Sequence, residues 1–316
     1  MPVSQRRRLL VIYNPAAGSG RLNPRRRARL QAWLDLLKDA GCAAEFRPTT
    51  RRGDAERFAA EALAARYDAV VAAGGDGTIG EIANGLPEDA APLGILPLGT
   101  ANVLALEIGL PLGPSAATQA LLHGPVARIW PGYVNDRLFT IMAGIGFDAH
   151  VVAALSPRQK FWLGKGAYVI ETLRQFIRYD GPGFRLAIDG VDYACASAVI
   201  AKGHFYGGKF VCAPHARLND PAFEVCLFRK SGRAGVLRAA AALMLGRLHR
   251  LPEIELVRGH RIDIFGPKTE PVQADGDIVT YLPAKVRIGA RAIKLIVPPG
   301  SALAQPMAAS AGEAVA

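Results

Sequence analysis

The stretch Gly74-Gly75-Asp76-Gly77-Thr78 constrains this chain more than any other. It follows the apolar run Ala69-Val70-Val71-Ala72-Ala73 and precedes a helix expected over Ile79 to Asn84, so it reads as strand, glycine turn and helix start. Glycine reaches backbone angles closed to other residues and carries no Cβ, so such a turn lets main-chain N–H groups close on a phosphate. Thr78 followed by Glu81 has the spacing of a capping box, which would begin the helix there and aim its positive end at whatever the turn holds. Asp76 is the odd member. A carboxylate beside a polyphosphate repels it unless Mg²⁺ lies between them or the carboxylate faces an incoming hydroxyl, and both arrangements point to phosphoryl transfer. A plain tight turn after a buried strand is the alternative that these five residues alone leave open.

The rest of the first half repeats this layout. Leu9 to Tyr13 reads as a buried strand ending in Asn14-Pro15-Ala16-Ala17-Gly18-Ser19-Gly20, a small-residue loop without the Lys-Ser/Thr of a Walker A loop or dinucleotide-fingerprint spacing. A helix is expected over Asn23 to Ala40 with Leu30, Trp33, Leu36 and Leu37 on one face. A strand near Ala44-Glu45-Phe46 leads to Thr49 and Thr50, then to a helix over Ala55 to Ala65. A fourth strand, Pro92 to Pro97, ends in Leu98-Gly99-Thr100-Ala101-Asn102. Four strands alternating with helices predict a parallel sheet with ligand loops at the carboxyl ends of its strands.

Near Ala127 the pattern changes to short strands and turn signals, over Arg137 to Met142, Phe184 to Ile188, Ala194 to Ala201, Phe223 to Phe228, Arg261 to Phe265 and Lys294 to Val297. The expected division is an α/β domain over 1–127, open to completion by 298–316, and a mostly antiparallel β domain over 128–297. Asp189-Gly190 is a hairpin turn. Helices are expected over Arg158 to Tyr179 and Arg233 to Leu248, interrupting the strands.

The net charge of +11 favours anionic partners, and eight arginines precede the first acidic residue, Asp35. Arg229, Lys230, Arg233, Arg238, Arg247 and Arg250 suit an anionic lipid surface, or equally a solvated amphipathic helix. Nucleic acid is disfavoured, because zinc spacing, RNA-binding signatures and basic repeats are missing. Cys42, Cys195, Cys212 and Cys226 show no close pairing in the sequence, which fits reduced thiols and a cytoplasmic location. No apolar run reaches spanning length, so contact at the inner membrane face would be peripheral. A homodimer is left open. His150, His204, His215 and His260 lack metal-like spacing.

Five motifs in order, Gly74 to Thr78, Leu96-Pro97-Leu98-Gly99-Thr100-Ala101-Asn102, Gly144-Ile145-Gly146-Phe147-Asp148-Ala149, Tyr206-Gly207-Gly208 and Asp275-Gly276-Asp277, resemble the diacylglycerol kinase catalytic-domain family. That resemblance runs from Asn14 to Val297. It implies a nucleotide domain like those of NAD kinase and phosphofructokinase, a β-sandwich domain, and ATP with Mg²⁺ in the cleft between them. By position, Thr49, Gly74, Gly75, Asp76, Gly77, Thr78, Ile79, Gly80 and Thr100 match ATP-binding positions, with Asn14 and Asn102 as helpers. Asp277 matches the carboxylate that takes the lipid hydroxyl proton, where the family usually has Glu. Asp275-Gly276 reads on spacing alone as a hairpin turn. Asp148 is expected to tie the second domain to the cleft. Asp220, with the carbonyls of Arg217 and Ala222, matches a structural Mg²⁺ site, although Pro221 stands where the family usually has Gly. The implied activity is an ATP-dependent lipid kinase acting on a diacylglycerol-like lipid. A sphingoid-base or ceramide kinase, a soluble-acceptor kinase like NAD kinase, and a non-catalytic lipid-binding relative are the alternatives.

Overall fold

A computed structural model describes residues 7–15, 24–87, 90–154, 183–229 and 232–304. The first sheet contains β1 (Arg8–Tyr13), β2 (Ala43–Pro48), β3 (Ala69–Gly74), β4 (Leu93–Pro97) and β5 (Val126–Ile129). Between them run α1 (Pro24–Asp39), α2 (Asp54–Glu61), α3 (Asp76–Gly85), α4 (Val103–Glu107) and α5 (Pro114–His123). The strand order is β2-β1-β3-β4, all parallel, and β3 is buried along its whole length because helices cover both faces. Successive side chains alternate between the faces. Leu10, Ile12, Val70 and Ala72 meet Ala55 and Ala59 of α2 and Ile79 and Ile82 of α3, whereas Leu9, Val11 and Val71 meet Trp33 and Leu37 of α1 and Leu121 of α5.

The second half begins with β6 (Gly132–Val134), β7 (Arg137–Phe139), β8 (Met142–Ile145) and α6 (Phe147–Ala154). After it come β9 (Phe184–Ile188), β10 (Val191–Cys195), β11 (Ser197–Ala201), β12 (Phe205–Tyr206), β13 (Phe210–Val211) and β14 (Phe223–Phe228). The chain continues through α7 (Arg233–Met244), β15 (Ile254–Gly259), β16 (Arg261–Phe265), β17 (Pro271–Ala274), β18 (Asp277–Tyr281), β19 (Ala284–Ile288) and β20 (Ile293–Ile296). Two antiparallel six-stranded sheets result, ordered β10-β9-β16-β19-β6-β7 and β15-β14-β11-β8-β17-β18. Their inner faces close on Phe139, Ile145, Leu186, Ile200, Phe223, Ile262 and Val286. Exposed strands such as β9 alternate buried and exposed positions, as a half-solvated antiparallel sheet requires.

Several expectations shift. The strand expected over Lys294 to Val297 belongs to the first sheet, where β20 lies between β4 and β5. Leu295 and Val297 bury in one core and Ile296 in another, so this segment fills a layer covered on both faces. The run Arg137 to Met142 breaks after Phe139, and Ala194 to Ala201 divides at Ala196. The capping-box reading also fails: α3 begins at Asp76 with Gly75 as its N-cap, which places Thr78 within the first turn. Glu81 instead accepts a hydrogen bond from the Ala55 amide of α2 at 3.3 Å. Cys212 and Cys226, 14 residues apart in sequence, bring their sulfurs to 3.7 Å in the core as free thiols. The loop 16–20, Lys230 and the helix expected over Arg158 to Tyr179 lie outside the described residues.

The two halves share a core. Ile141, Met142, Val199 and Cys212 join Ile79, Ile82 and Leu104 in one cluster. Asn84 at the end of α3 donates to the Leu138 carbonyl and accepts from the Leu138 amide, both at 3.0 Å, and Arg137 reaches Glu56 at 2.7 Å. The Glu107 carboxylate, ending α4, accepts the amides of His204 and Phe205. These links cross the line between the parallel sheet and the sandwich.

Candidate active site

Because β1 to β4 run parallel, their carboxyl ends form one edge, and register sets Tyr13 beside Pro48 and Ala73, and Gly74 beside Pro97. The chain leaves every strand there. Backbone hydrogen bonds extend the row past the strands: Thr49 N–H to Tyr13, Asn14 N–H to Ala73, and Leu98 and Gly99 N–H to Gly74. Asn14, Thr49, Gly74, Gly75 and Gly99 thus share one rim. Asp54 fixes the Thr49 side of it by accepting Thr50 N–H and hydroxyl at 2.8 Å and Arg51 N–H at 3.0 Å. Those bonds, the Thr50 amide first, hold the Asp54 carboxyl well below the usual range.

Glycine is required where the two central loops touch. A Cβ on Gly99 would stand 2.5 Å from the Gly75 Cα, and one on Gly74 would strike the Thr78 side chain. Gly77 and Gly80 meet nothing, so their backbone faces open space where a ligand can approach. Thr78 and Ile79 are buried and support the turn from beneath, while Thr100 is exposed on the facing loop. Asn102 adopts the left-handed conformation, with φ 49°, and its amide donates to Gly99 at 3.0 Å. Its Oδ1 is buried with no donor among the described residues. A buried acceptor of this kind fits a hydroxyl donor from a bound nucleotide.

Asp76 stands at the head of α3, partly buried, with Oδ1 accepting the Leu104 amide of α4 at 3.3 Å. Desolvation, with the nearby charge of Asp275 adding to it, lifts the Asp76 pKa to about 6. Asp275 arrives from the sandwich in the β17–β18 hairpin, where Asp275 (φ 47°) and Gly276 (φ 86°) make the turn. The hairpin reading of Asp275-Gly276 holds, but the turn does more than reverse the chain. The Asp275 carboxylate accepts Thr140 N–H at 2.6 Å, the Thr140 hydroxyl at 2.9 Å, and the Ile141 and Met142 amides at 2.9 and 3.0 Å. Desolvation still outweighs these donors and raises its pKa. Asp277 follows at the first position of β18, with its carboxylate reaching Arg52 at 3.4 Å. Arg52 lies in the loop after β2, so this pair spans the two halves.

The remaining motifs brace that hairpin. Gln273 accepts Gly276 N–H at 3.0 Å and donates to Asp148 at 2.7 Å, and the Tyr206 hydroxyl donates to the other Asp148 oxygen. Gly144 has no room for a Cβ, which would lie 2.5 Å from Asp148 Oδ2. Burial raises the Asp148 pKa against both donors. Asp148 therefore joins α6, β12 and β17 behind the cleft. His150 and His204 are held by Glu270 and Glu107, and His260 by Asp189.

The residues matched to a structural Mg²⁺ do converge, but on a side chain. The Lys202 ammonium donates to the carbonyls of Arg217 at 3.2 Å, Ala222 at 2.9 Å and Asp220. Arg258 takes the Asp220 carboxylate in a two-pronged pair at 2.6 and 2.8 Å. As folded, Asp220, Arg217 and Ala222 do not fit a metal ion: their carbonyls are spent on an ammonium and the carboxylate on a guanidinium. Among the described residues no cluster of three or more His, Cys, Asp or Glu side chains could hold a metal. Lys202, Arg258, Arg52, Gln273 and Asn84 were invisible as site residues in the sequence.

Residues 8–134 match the diacylglycerol kinase catalytic domain, and residues 141–297 match the YegS C-terminal NAD kinase beta sandwich-like domain. The chain belongs to the diacylglycerol kinase catalytic-domain family. It is 36% identical to the "Probable lipid kinase YegS-like" of Pseudomonas putida over 84% of this chain and 90% of that protein. With a diacylglycerol kinase of Bacillus subtilis it shares 28% identity over 92% of this chain and 97% of that one. A solved structure titled as a diacylglycerol kinase from Bacillus anthracis shares the fold, with TM-score 0.74 and 23% identity over 94% of this chain and 99% of that one. Family membership makes the chain a lipid kinase that draws its phosphoryl group from ATP. The NAD kinase-like pairing of a parallel sheet with a sandwich is the expected architecture.

Proposed function

We propose that this family member transfers the γ-phosphoryl group of ATP to a hydroxyl of a diacylglycerol-like lipid, using Asp76 and Asp277. The observation that carries the reading is the meeting of an open glycine turn, headed by Asp76 with its raised pKa, with the Asp275-Gly276-Asp277 hairpin from the other half. The Gly77 and Gly80 backbone lies open to receive phosphate oxygens, and Asn14, Thr49, Thr100 and Asn102 rim the same edge for the rest of the nucleotide. A carboxylate whose charge burial penalises is suited to a cation, so Asp76 is the residue that would hold Mg²⁺, which when bound shields phosphate charge. Asp277 accepts the lipid hydroxyl proton as the new O–P bond forms and the β–γ bridge breaks, with ADP leaving. Its carboxylate, at the first position of β18, is partly open to solvent, where an incoming hydroxyl can reach it.

An anionic bilayer surface is the proposed setting. Leu237, Met244 and Leu245 are exposed on and just after α7, beside exposed Arg247 and Arg250. Strand β13 packs against α7 and exposes Phe210, and β12 beside it carries Tyr206 to Asp148. Apolar side chains flanked by cations suit the interface of an anionic membrane.

The test is transfer of labelled phosphate from ATP and Mg²⁺ to diacylglycerol, monoacylglycerol, phosphatidylglycerol, ceramide and sphingosine in mixed micelles, with NAD as a soluble acceptor. Labelled phosphatidic acid made by the wild type is the expected product. Product only with sphingoid lipids or only with NAD would overturn the acceptor assignment, and ATP binding without any product would indicate a non-catalytic relative.

A further inference from the structure

Lys202 follows the apolar strand β11 and is fully buried, although a lysine buried to that degree is costly unless its charge is met. Its own amide is fixed by the Ile141 carbonyl at 2.7 Å, so the side chain starts from the rigid β-sandwich. From there it enters the loop 212–222. An ammonium has three N–H donors and no acceptor, and three carbonyls, those of Arg217, Asp220 and Ala222, receive them. The Phe223 ring adds a fourth wall, with its centroid 6.0 Å from Nζ.

The charges nearby are already balanced. Asp220 is paired in both oxygens by Arg258, and Glu224 is spent on the amides of His215 and Ala216 at 2.8 and 2.9 Å. With Lys202 and Arg258 positive and Asp220 and Glu224 negative, the formal charges around the seat already cancel, and carbonyl dipoles meet the ammonium directly. A divalent ion placed there would meet two cations and no free carboxylate. The contacts to Arg217 and Ala222, at 3.2 and 2.9 Å, are those of an ammonium and far longer than the about 2.1 Å of Mg²⁺ to oxygen.

We propose that Lys202 is a built-in cation occupying the seat where the family pattern places a structural metal, so that the loop 212–222 folds and holds without any metal ion. The consequence reaches the cleft, because the same loop supplies the Leu218 carbonyl to Trp130 and the Arg217 side chain to His204, which contacts Glu107 at the end of α4. The proposal concerns a site apart from phosphoryl transfer and stands whether or not the acceptor is a diacylglycerol.

The test uses the full chain without nucleotide. Wild-type protein passed through buffer without chelator is expected to carry far less than one divalent ion per chain by mass spectrometry of metals. Its Tm is expected to be indifferent to EDTA and to millimolar Mg²⁺ or Ca²⁺. Lys202→Ala is expected to lower Tm by roughly 10 °C, with millimolar Mg²⁺, Ca²⁺ or methylammonium restoring part of the loss in the variant alone. About one retained ion per wild-type chain, or a wild-type Tm that falls by several degrees in EDTA, would overturn the proposal. So would a Lys202→Ala protein as stable as wild type, or one that none of the three cations restores. If Lys202→Ala does not fold, the metal content and EDTA response of the wild type still decide between a metal and the ammonium.

Discussion

Two carboxylates of this lipid kinase sit in places that invite a cation, and they have been treated in opposite ways. Asp220 is finished: Arg258 pairs both of its oxygens, and the carbonyls around it are filled by Lys202. Asp76 is left without a cationic partner, with backbone amides as its donors, that of Leu104 at 3.3 Å, a second carboxylate nearby and a pKa raised to about 6. A closed pair holds a loop in place. An open carboxylate costs folding energy that is recovered when a ligand brings positive charge, so the contrast separates a structural site from a working one.

The sharpest way to break this contrast is Asp76→Asn. Turnover is expected to fall about 10³-fold or more, because a residue placed for the transition state is lost, and steady-state phosphotransfer measures it. Asp277→Asn is expected to lower kcat by about 10²-fold or more with little change in Tm, since the pair it breaks with Arg52 is exposed and long at 3.4 Å. Near-normal rates in either variant would remove that residue from the mechanism.

Asp275→Asn sharpens the comparison from the structural side. The amide would replace one acceptor with a donor facing the Thr140–Met142 amides, and a stability loss of about 2–3 kcal/mol is expected by denaturant unfolding. Kinase activity should fall with it, because this turn sets the start of β18.

The pH dependence of stability gives a smaller effect with a definite sign. The folded pKa of Asp76, about 6, lies above the unfolded value of 3.8, so the native state binds this proton more tightly. Its contribution to stability is fully present below the unfolded value and is lost as pH rises through about 6. The two-unit gap corresponds to at most about 3 kcal/mol, and partial exposure reduces it to about 1–2 kcal/mol. The difference in unfolding free energy between wild type and Asp76→Asn isolates this group: the variant should gain on wild type between pH 4 and pH 7. Activity of the free enzyme runs the other way, falling as pH drops through about 6 and Asp76 takes up its proton.

Much of this was legible where the determinants are local. The glycine turn, the parallel strands and the ordered motifs place Asp76, Thr49 and Asn102 at one sheet edge because strand direction and turn chemistry follow from neighbouring residues. The capping box misled because Thr78 and Glu81 have the right spacing, yet two glycines ahead of Asp76 let the helix start earlier. Asp275 read only as a turn, since its four donors lie more than a hundred residues earlier in the chain. Lys202 gave no signal at all: a lysine closing an apolar strand is normally solvated, and only the fold brings the carbonyls of Arg217, Asp220 and Ala222 around it. The same distance hid β20, whose place beside β4 depends on the chain crossing the whole sandwich and returning.

The most direct test of the open-carboxylate claim is one sample of Asp76→Asn measured twice at pH 7, for lipid phosphorylation and for thermal unfolding without nucleotide. A working site left electrostatically unfinished predicts that phosphorylation is nearly abolished while Tm rises above wild type. A variant that keeps its activity, or that loses activity and Tm together, would show that Asp76 is part of the scaffold and contradict its role in phosphoryl transfer.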